Sequence, residues 1–324
     1  MRRIRRKGMG ALVAAALGIS GLVAVGVSTA NAEGTEGVEY NFSKGFLKGF
    51  FKAKDAPAGA NDWLCKPSSA HPNPVVLIHG TLENMNDNWG GASPLLANNG
   101  YCVFAFNYGA GDGSSPVQGT GHMKDSAAVL GGFVDKVRAA TGAGEVDLVG
   151  HSQGGGPMPR TYLKNDPSAA GKVGKLVGIT PSNHGTTLDG ITELGRALHL
   201  LQPANDFLDK TWPALYEQEV GSPFNKELDA GGDTVPGVDY TVIATKYDEV
   251  VTPYSNGFLK AGPGATVKNI LLQDGCAKDH TDHLEAAYDP ITLTHVLNAL
   301  DPAHPRAVKC QTVLPLTGPT GPVE

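Results

Sequence analysis

The chain has 324 residues, enough for one large domain or two small ones, and a 41% hydrophobic fraction that provides for a sizeable core. Its formal net charge of −6 gives no global attraction for nucleic acid. Glycine and proline are frequent but stay below collagen-like or disordered levels.

Residues 1–32 do not read as part of the fold. A basic start, "MRRIRRKGMG", precedes the small-residue apolar stretch "ALVAAALGISGLVAVGVSTA" and a small-x-small site at Ala30-Asn31-Ala32. This is the pattern of a secretory signal peptide cleaved near Ala32, and the paired arginines also allow a twin-arginine route. Cleavage would remove five basic residues and take the formal charge from −6 to −11. No other stretch has 18 uninterrupted apolar residues, so no transmembrane helix is expected in the mature chain.

Residues 33–60 form an N-terminal arm in this reading. In "KGFLKGFFKAK", Phe46, Leu47, Phe50 and Phe51 fall at helical spacing, with Lys44, Lys48 and Lys52 between them. We read the segment as an arm docked on the domain; the alternative is a surface in transient contact with a lipid interface.

A regular pattern begins at Pro74 and fills a domain spanning 61–312. "PVVLIH" (74–79) lacks polar alternation, as a strand buried on both faces should. A short helix near Ser93–Asn98 and a strand at 101–109 follow. The spacing of Ala127, Leu130, Phe133, Val134 and Val137 predicts a helix over 121–142, stopped by Gly142. Strands are expected at 145–150, 172–180, 239–248 and 265–274, a helix from about 155 and a closing helix at 290–300. Alternating strands and helices predict a mostly parallel central sheet with helices on both faces. The interval 181–238 interrupts this alternation and is too long for a plain loop. With apolar Leu198, Leu201, Phe207, Leu208, Trp212, Leu215 and Tyr216, it reads as a helical cap or lid inserted at about 187–236. Residues 313–324 read as a C-terminal tail.

In such sheets the working residues lie just past the C-terminal strand ends. Gly150-His151-Ser152-Gln153-Gly154 satisfies G-x-S-x-G between a strand and a helix, the context of a nucleophile elbow. An elbow serine needs a base, and chain order calls for an acid and then a histidine. Asp248 follows the strand "YTVIATKY", and His280 and His283 follow the last strand. His283 stands at a loop-to-helix junction, whereas His280 lies in a run of charges, so the set is Ser152, Asp248 and His283. Glu249 and Asp274 are the alternative acids, and His151 reads as a packing residue. Backbone N–H groups of Thr81 and Gln153 would form an oxyanion hole. No convincing metal cluster is legible. The even count of four cysteines in an exported chain suggests two disulfides, but spacing leaves three pairings open.

The segments "GANDWLCKPSSAHPNPVVLIHGT", "NWGGASPLLANNGYCVFAFNYG", "VDLVGHSQGG", "ATKYDEVVTPY" and "DHLEAAYDP" together resemble the secreted class 2 lipases of actinobacteria, within the α/β-hydrolase superfamily. The resemblance covers roughly residues 59–300 and implies an α/β-hydrolase fold. It also implies a Ser152–Asp248–His283 triad that hydrolyses carboxylic esters of fatty acids through an acyl-enzyme, without a cofactor. It implies the disulfides Cys65–Cys102 and Cys276–Cys310; the second would close a loop of about 35 residues around His283, worth roughly 4 kcal/mol in the chain-entropy model. The expected protein is a secreted, extracellular monomer whose partner is a lipid or small ester, with no nucleic acid partner. Acyl transfer and polyester hydrolysis on the same fold are the alternative activities.

Overall fold

The computed structural model describes residues 36–111, 113–187, 189–190 and 212–323. The expected signal peptide and Leu198, Leu201, Phe207 and Leu208 of the expected cap lie outside them.

The buried apolar runs become parallel strands: β1 (Val75–Ile78), β2 (Val103–Phe106), β3 (Val146–His151), β4 (Val173–Ile179), β5 (Asp239–Ala244) and β6 (Thr266–Leu271). They form one sheet in the order β2-β1-β3-β4-β5-β6, every neighbouring pair parallel. Residues of β1, β2 and β3 are buried throughout, which is why these strands show no polar alternation. β6, at one edge of the sheet, is half exposed, whereas β2 at the other edge is buried.

Successive side chains point to opposite faces, so the sheet feeds two cores. Val76 and Ile78 pack with Phe104, Leu148 and the helices α3 (Met123–Thr141) and α4 (Pro157–Asn165). Val75 and Leu77 pack with Val103, Val149 and the helices α2 (Ala92–Asn98) and α8 (Pro290–Leu300). Gly142 ends α3 in the left-handed region, its N–H donating to Arg138. Asp289 caps α8 by accepting from the N–H groups of Ile291 and Thr292.

Three strands end at least three residues earlier than the pattern predicts, β2 at Phe106 among them. β5 stops at Ala244, where the Thr245 hydroxyl turns to donate to the Thr281 carbonyl. β6 gives way at Leu272 to a helical turn, α7 (Leu272–Gly275). The described part of the insertion contains α5 (Pro213–Glu217) and α6 (Pro223–Asp229), with Leu215 buried and Tyr216 exposed.

The two ends of the described chain meet. Helix α1 (Phe42–Gly49) is capped by Asn41 and continues into a 3₁₀ turn, Phe50–Lys52. Phe42 packs edge-on against Tyr288, and Gly45 lies so close to that ring that a Cβ would overlap it. Strands β7 (Val313–Leu314) and β8 (Gly318–Pro319) form a small antiparallel hairpin, and the Leu316 carbonyl between them accepts from Ser43. Both disulfides, Cys65–Cys102 and Cys276–Cys310, are present.

Candidate active site

β3 runs out at His151, and the next residue, Ser152, has φ +55°, left-handed backbone that L residues avoid. The 3₁₀ turn Ser152–Gly155 then leads into α4. So sharp a turn needs its flanking residues to lack side chains. A Cβ on Gly150 would overlap the Gly154 carbonyl, and one on Gly154 would overlap the carbonyls of Ile78 and His79. Ser152 is thereby set against the loop after β1, where a Cβ on Gly80 would stand 3.3 Å from its own Cβ.

That loop carries the first predicted donor. The Leu82 N–H is spent on Gln118, whereas the Thr81 N–H has no hydrogen-bond partner among the described residues. Gln153 follows Ser152 in the 3₁₀ turn, where an N–H has no partner within the turn itself. Its side-chain amide donates to the Gly119 carbonyl at 2.5 Å. The loop is tied to the foot of the insertion, because Gln218 Nε2 donates to Thr81 Oγ1 and Gln218 Oε1 accepts from Ser182.

Past β5, Asp248 Oδ1 accepts from the N–H groups of Val250 and Val251 at 3.0 and 2.7 Å. Both carboxylate oxygens face His283 Nδ1, at 3.0 and 3.1 Å. The ring is fully buried, and its other nitrogen, Nε2, has no hydrogen-bond partner among the described residues. Burial alone would lower the His283 pKa, but the Asp248 charge and hydrogen bond raise it above 6.5. Glu249 does not contact the ring: it accepts from the His283 backbone N–H at 3.3 Å, and burial, then the Asp282 charge, push its carboxyl up to about 7. His280 is half-buried, its ring against Tyr247, and Asp274 is exposed.

The structure thus brings Asp248 and His283 into direct contact and sets His283 beside the elbow. The rings of His151 and His283 are 5.0 Å apart, and His151 Nε2 lies 3.0 Å from the His283 carbonyl oxygen. Ser152 and His283 Nε2 are not hydrogen-bonded to each other. Long contacts of this kind are common before substrate closes a site.

His151 does more than the packing expected of it. Its Nδ1 meets Glu83 Oε2 at 2.9 Å and Asn88 Nδ2 at 3.1 Å, all three buried. Glu83 and Asn88 also accept from the Gly80 N–H, each at 3.1 Å. One polar network therefore joins the Thr81 loop, the elbow and the His283 carbonyl. Sequence reasoning missed Glu83 and Asn88; the one available signal was a carboxylate placed three residues beyond Gly80.

Among the described residues, His184, Asp229 and Asp233 offer ligand atoms within 4.8 Å of one another. The cluster already holds its own cation. Buried Arg160 donates to Asp229 at 3.3 Å and approaches Asp233 at 3.6 Å. His184 meets Asp229 at 3.0 Å, and hydrogen bonds to Asp229, then Asp233, raise its pKa to about 9. This charge-balanced set is poorly suited to a further cation.

A parallel sheet with reactive groups gathered beyond its C-terminal strand ends is the architecture of the α/β-hydrolases. Two solved structures share it: Aspergillus fumigatus lipase B (TM-score 0.57, 20% identity, covering 78% of this chain and 56% of that one) and the mature Bacillus licheniformis lipase BlEst2 (TM-score 0.51, 18% identity, covering 75% and 96%). At these identities the likeness concerns the fold. Sequence goes further. The family model for lipase (class 2) matches residues 72–291. A triacylglycerol lipase of Pseudarthrobacter phenanthrenivorans is 36% identical over 262 residues, 68% of this chain and 74% of the relative. One of Burkholderia plantarii has the same identity, over 66% of its length. The chain belongs to the class 2 lipase family and is a carboxylic ester hydrolase.

Proposed function

We propose that the ester hydrolysis runs through a Ser152–His283–Asp248 triad and an acyl-enzyme. The observation that carries this reading is the buried Asp248–His283 pair, its Nε2 without a partner, beside a serine thrown out of β3 at positive φ. Ser152 Oγ attacks the ester carbonyl carbon, and its proton passes to His283 Nε2. Asp248 holds the Nδ1–H tautomer and balances the imidazolium. The oxyanion accepts from the N–H groups of Thr81 and Gln153. Collapse expels the alcohol with the proton from His283, and water, deprotonated by His283, releases the acid from Ser152. None of these steps calls on a cofactor.

The substrate class follows the relatives, which are triacylglycerol lipases: a fatty-acyl ester, presented from a lipid phase. Two disulfides fit an oxidising compartment, which together with the signal-like start supports secretion. The test is hydrolysis of p-nitrophenyl esters from short to long acyl chains, with Ser152→Ala alongside. Loss of at least about 10³-fold in kcat is expected. Ser152→Ala turnover near wild type would place the nucleophile elsewhere, and the preferred chain length separates esterase from lipase.

A further inference from the structure

Residues 42–54 contain four lysines and no acid, in a chain whose net charge is −6. The helix they form sorts its side chains into three stripes at spacing four. Phe42, Phe46 and Phe50 stack in series, with ring centroids 5.3 and 5.0 Å apart, and Phe42 is buried against Tyr288. Lys44, Lys48 and Lys52 are exposed. Between these stripes stand Leu47 and Phe51, 73% and 84% exposed. The expected docking of the arm therefore uses the first stripe alone and leaves two large apolar side chains in water beside the lysines.

This face lies at the working end of the sheet. Phe42 and Phe46 share a hydrophobic cluster with Leu82, Val250 and Leu284, the immediate neighbours of Thr81, the Asp248 loop and His283. The Asn84 side chain, in the loop that begins at Thr81, donates to the Phe50 carbonyl at 3.2 Å.

We infer that Leu47 and Phe51, framed by Lys44, Lys48, Lys52 and Lys54, form a docking surface for a phospholipid membrane carrying anionic headgroups, which it holds against the active-site end of the domain. The lysines meet the headgroups, and the two apolar side chains enter the interface beneath them. The surplus of acid elsewhere on the chain repels such a membrane and so fixes which face approaches it. The inference goes beyond the hydrolysis reading and does not depend on which residue is the nucleophile.

The test is cosedimentation of the Ser152→Ala protein with vesicles of phosphatidylcholine alone or containing phosphatidylglycerol. Stronger binding to the anionic vesicles is expected, weakening with salt. The triple variant K44E/K48E/K52E should lower anionic partitioning roughly 100-fold or more. L47S/F51S should weaken binding and make the remainder wholly salt-sensitive. Both variants, made in the wild-type background, should keep wild-type thermal unfolding and wild-type turnover of a soluble short-chain ester. Equal binding to both vesicle types, binding unchanged in both variants, or no binding at all would overturn the inference. So would a dimer in solution that L47S/F51S dissolves, since the face would then serve a second copy of the chain.

Discussion

Ser152 keeps its left-handed backbone because its surroundings leave no room for anything else. Gly150 and Gly154 touch backbone to backbone, so Gly150→Ala cannot be absorbed by a side-chain shift. That variant is expected to lose at least about 3 kcal/mol and all ester turnover, read from the urea midpoint; a wild-type midpoint would show that the turn is looser than this packing requires. The histidine gives a second prediction. In the proposed triad only neutral His283 could take the serine proton, and the Asp248 carboxylate outweighs burial to raise its pKa. Activity should therefore fall as pH drops through a midpoint above 6.5. Asp248→Asn should shift that limb to lower pH and lower kcat by about 10⁴-fold. A limb unmoved in Asp248→Asn would assign it to another group. The sequence singles out Ser152, Asp248 and His283 as candidates because the elbow motif stands between a strand and a helix and chain order then calls for an acid and a histidine beyond later strands. Glu83 was not legible there, because its partner His151 lies 68 residues along the chain and nothing local marks a loop carboxylate as buried. Glu83→Gln keeps an acceptor for the Gly80 N–H but removes the charge facing His151. It is expected to lower kcat about 10-fold with KM held, as a positioning residue would, and Glu83→Ala should add a loss of stability. An altered KM with unchanged kcat would assign Glu83 to substrate binding instead.

Between elements, the work is done by polar joints. The loop after β4 meets the end of α6 and the loop before β5 through His184, Arg160, Asp229 and Asp233. His184 has its folded pKa raised from 6.5 to about 9. Its contribution to stability is therefore complete below 6.5 and lost as pH rises through about 9. Asp233 moves the other way: burial alone would raise it, but the His184 and Lys260 hydrogen bonds bring it from 3.8 to about 2. Its contribution is present above 3.8 and lost as pH falls through about 2. Both are complete between pH 3.8 and 6.5. Thermal unfolding followed from there to pH 9 should show a fall in Tm that His184→Gln flattens; an equally steep fall in the variant would assign it to other groups. None of this joint was legible beforehand, since it is assembled from helices and loops distant in the chain. The helices were read more closely. α8 begins where Asp289 can cap it and Pro290 can enter it, and α3 stops at the glycine that tolerates left-handed backbone. The overlong expectations for β5 and β6 carried each strand into a turn that hydrogen bonds fix: the Thr245 hydroxyl donates to the Thr281 carbonyl after β5, and Gln273 Nε2 donates to Thr245 Oγ1 after β6.

At the scale of the molecule, the two disulfides fasten opposite ends of the sheet. Cys102 immediately precedes β2, at the N-terminal edge, and Cys65 ties the approaching chain to it. Cys276 follows α7 just before the His283 loop, and Cys310 ties that loop to the last turns of the chain. The sequence separations are 37 and 34 residues, so the entropic stabilisation from each is nearly the same, about 4 kcal/mol. Their effects on catalysis should differ. The second loop contains His283, whose ring, in the proposed triad, would have to hold its place against Asp248 and beside Ser152. The first lies at the end of the sheet away from all three residues. Cys65→Ser with Cys102→Ser is therefore expected to lower the unfolding midpoint and leave kcat per folded molecule near wild type. Cys276→Ser with Cys310→Ser should lower the midpoint by a similar amount and also reduce kcat at temperatures where the protein remains folded. Denaturant titrations paired with ester hydrolysis separate the two effects. An unchanged kcat per folded molecule in the Cys276→Ser, Cys310→Ser variant would mean that hydrogen bonds such as those to Thr245, Glu249 and His151 suffice to hold the His283 loop, and that the second disulfide acts only on the unfolded chain.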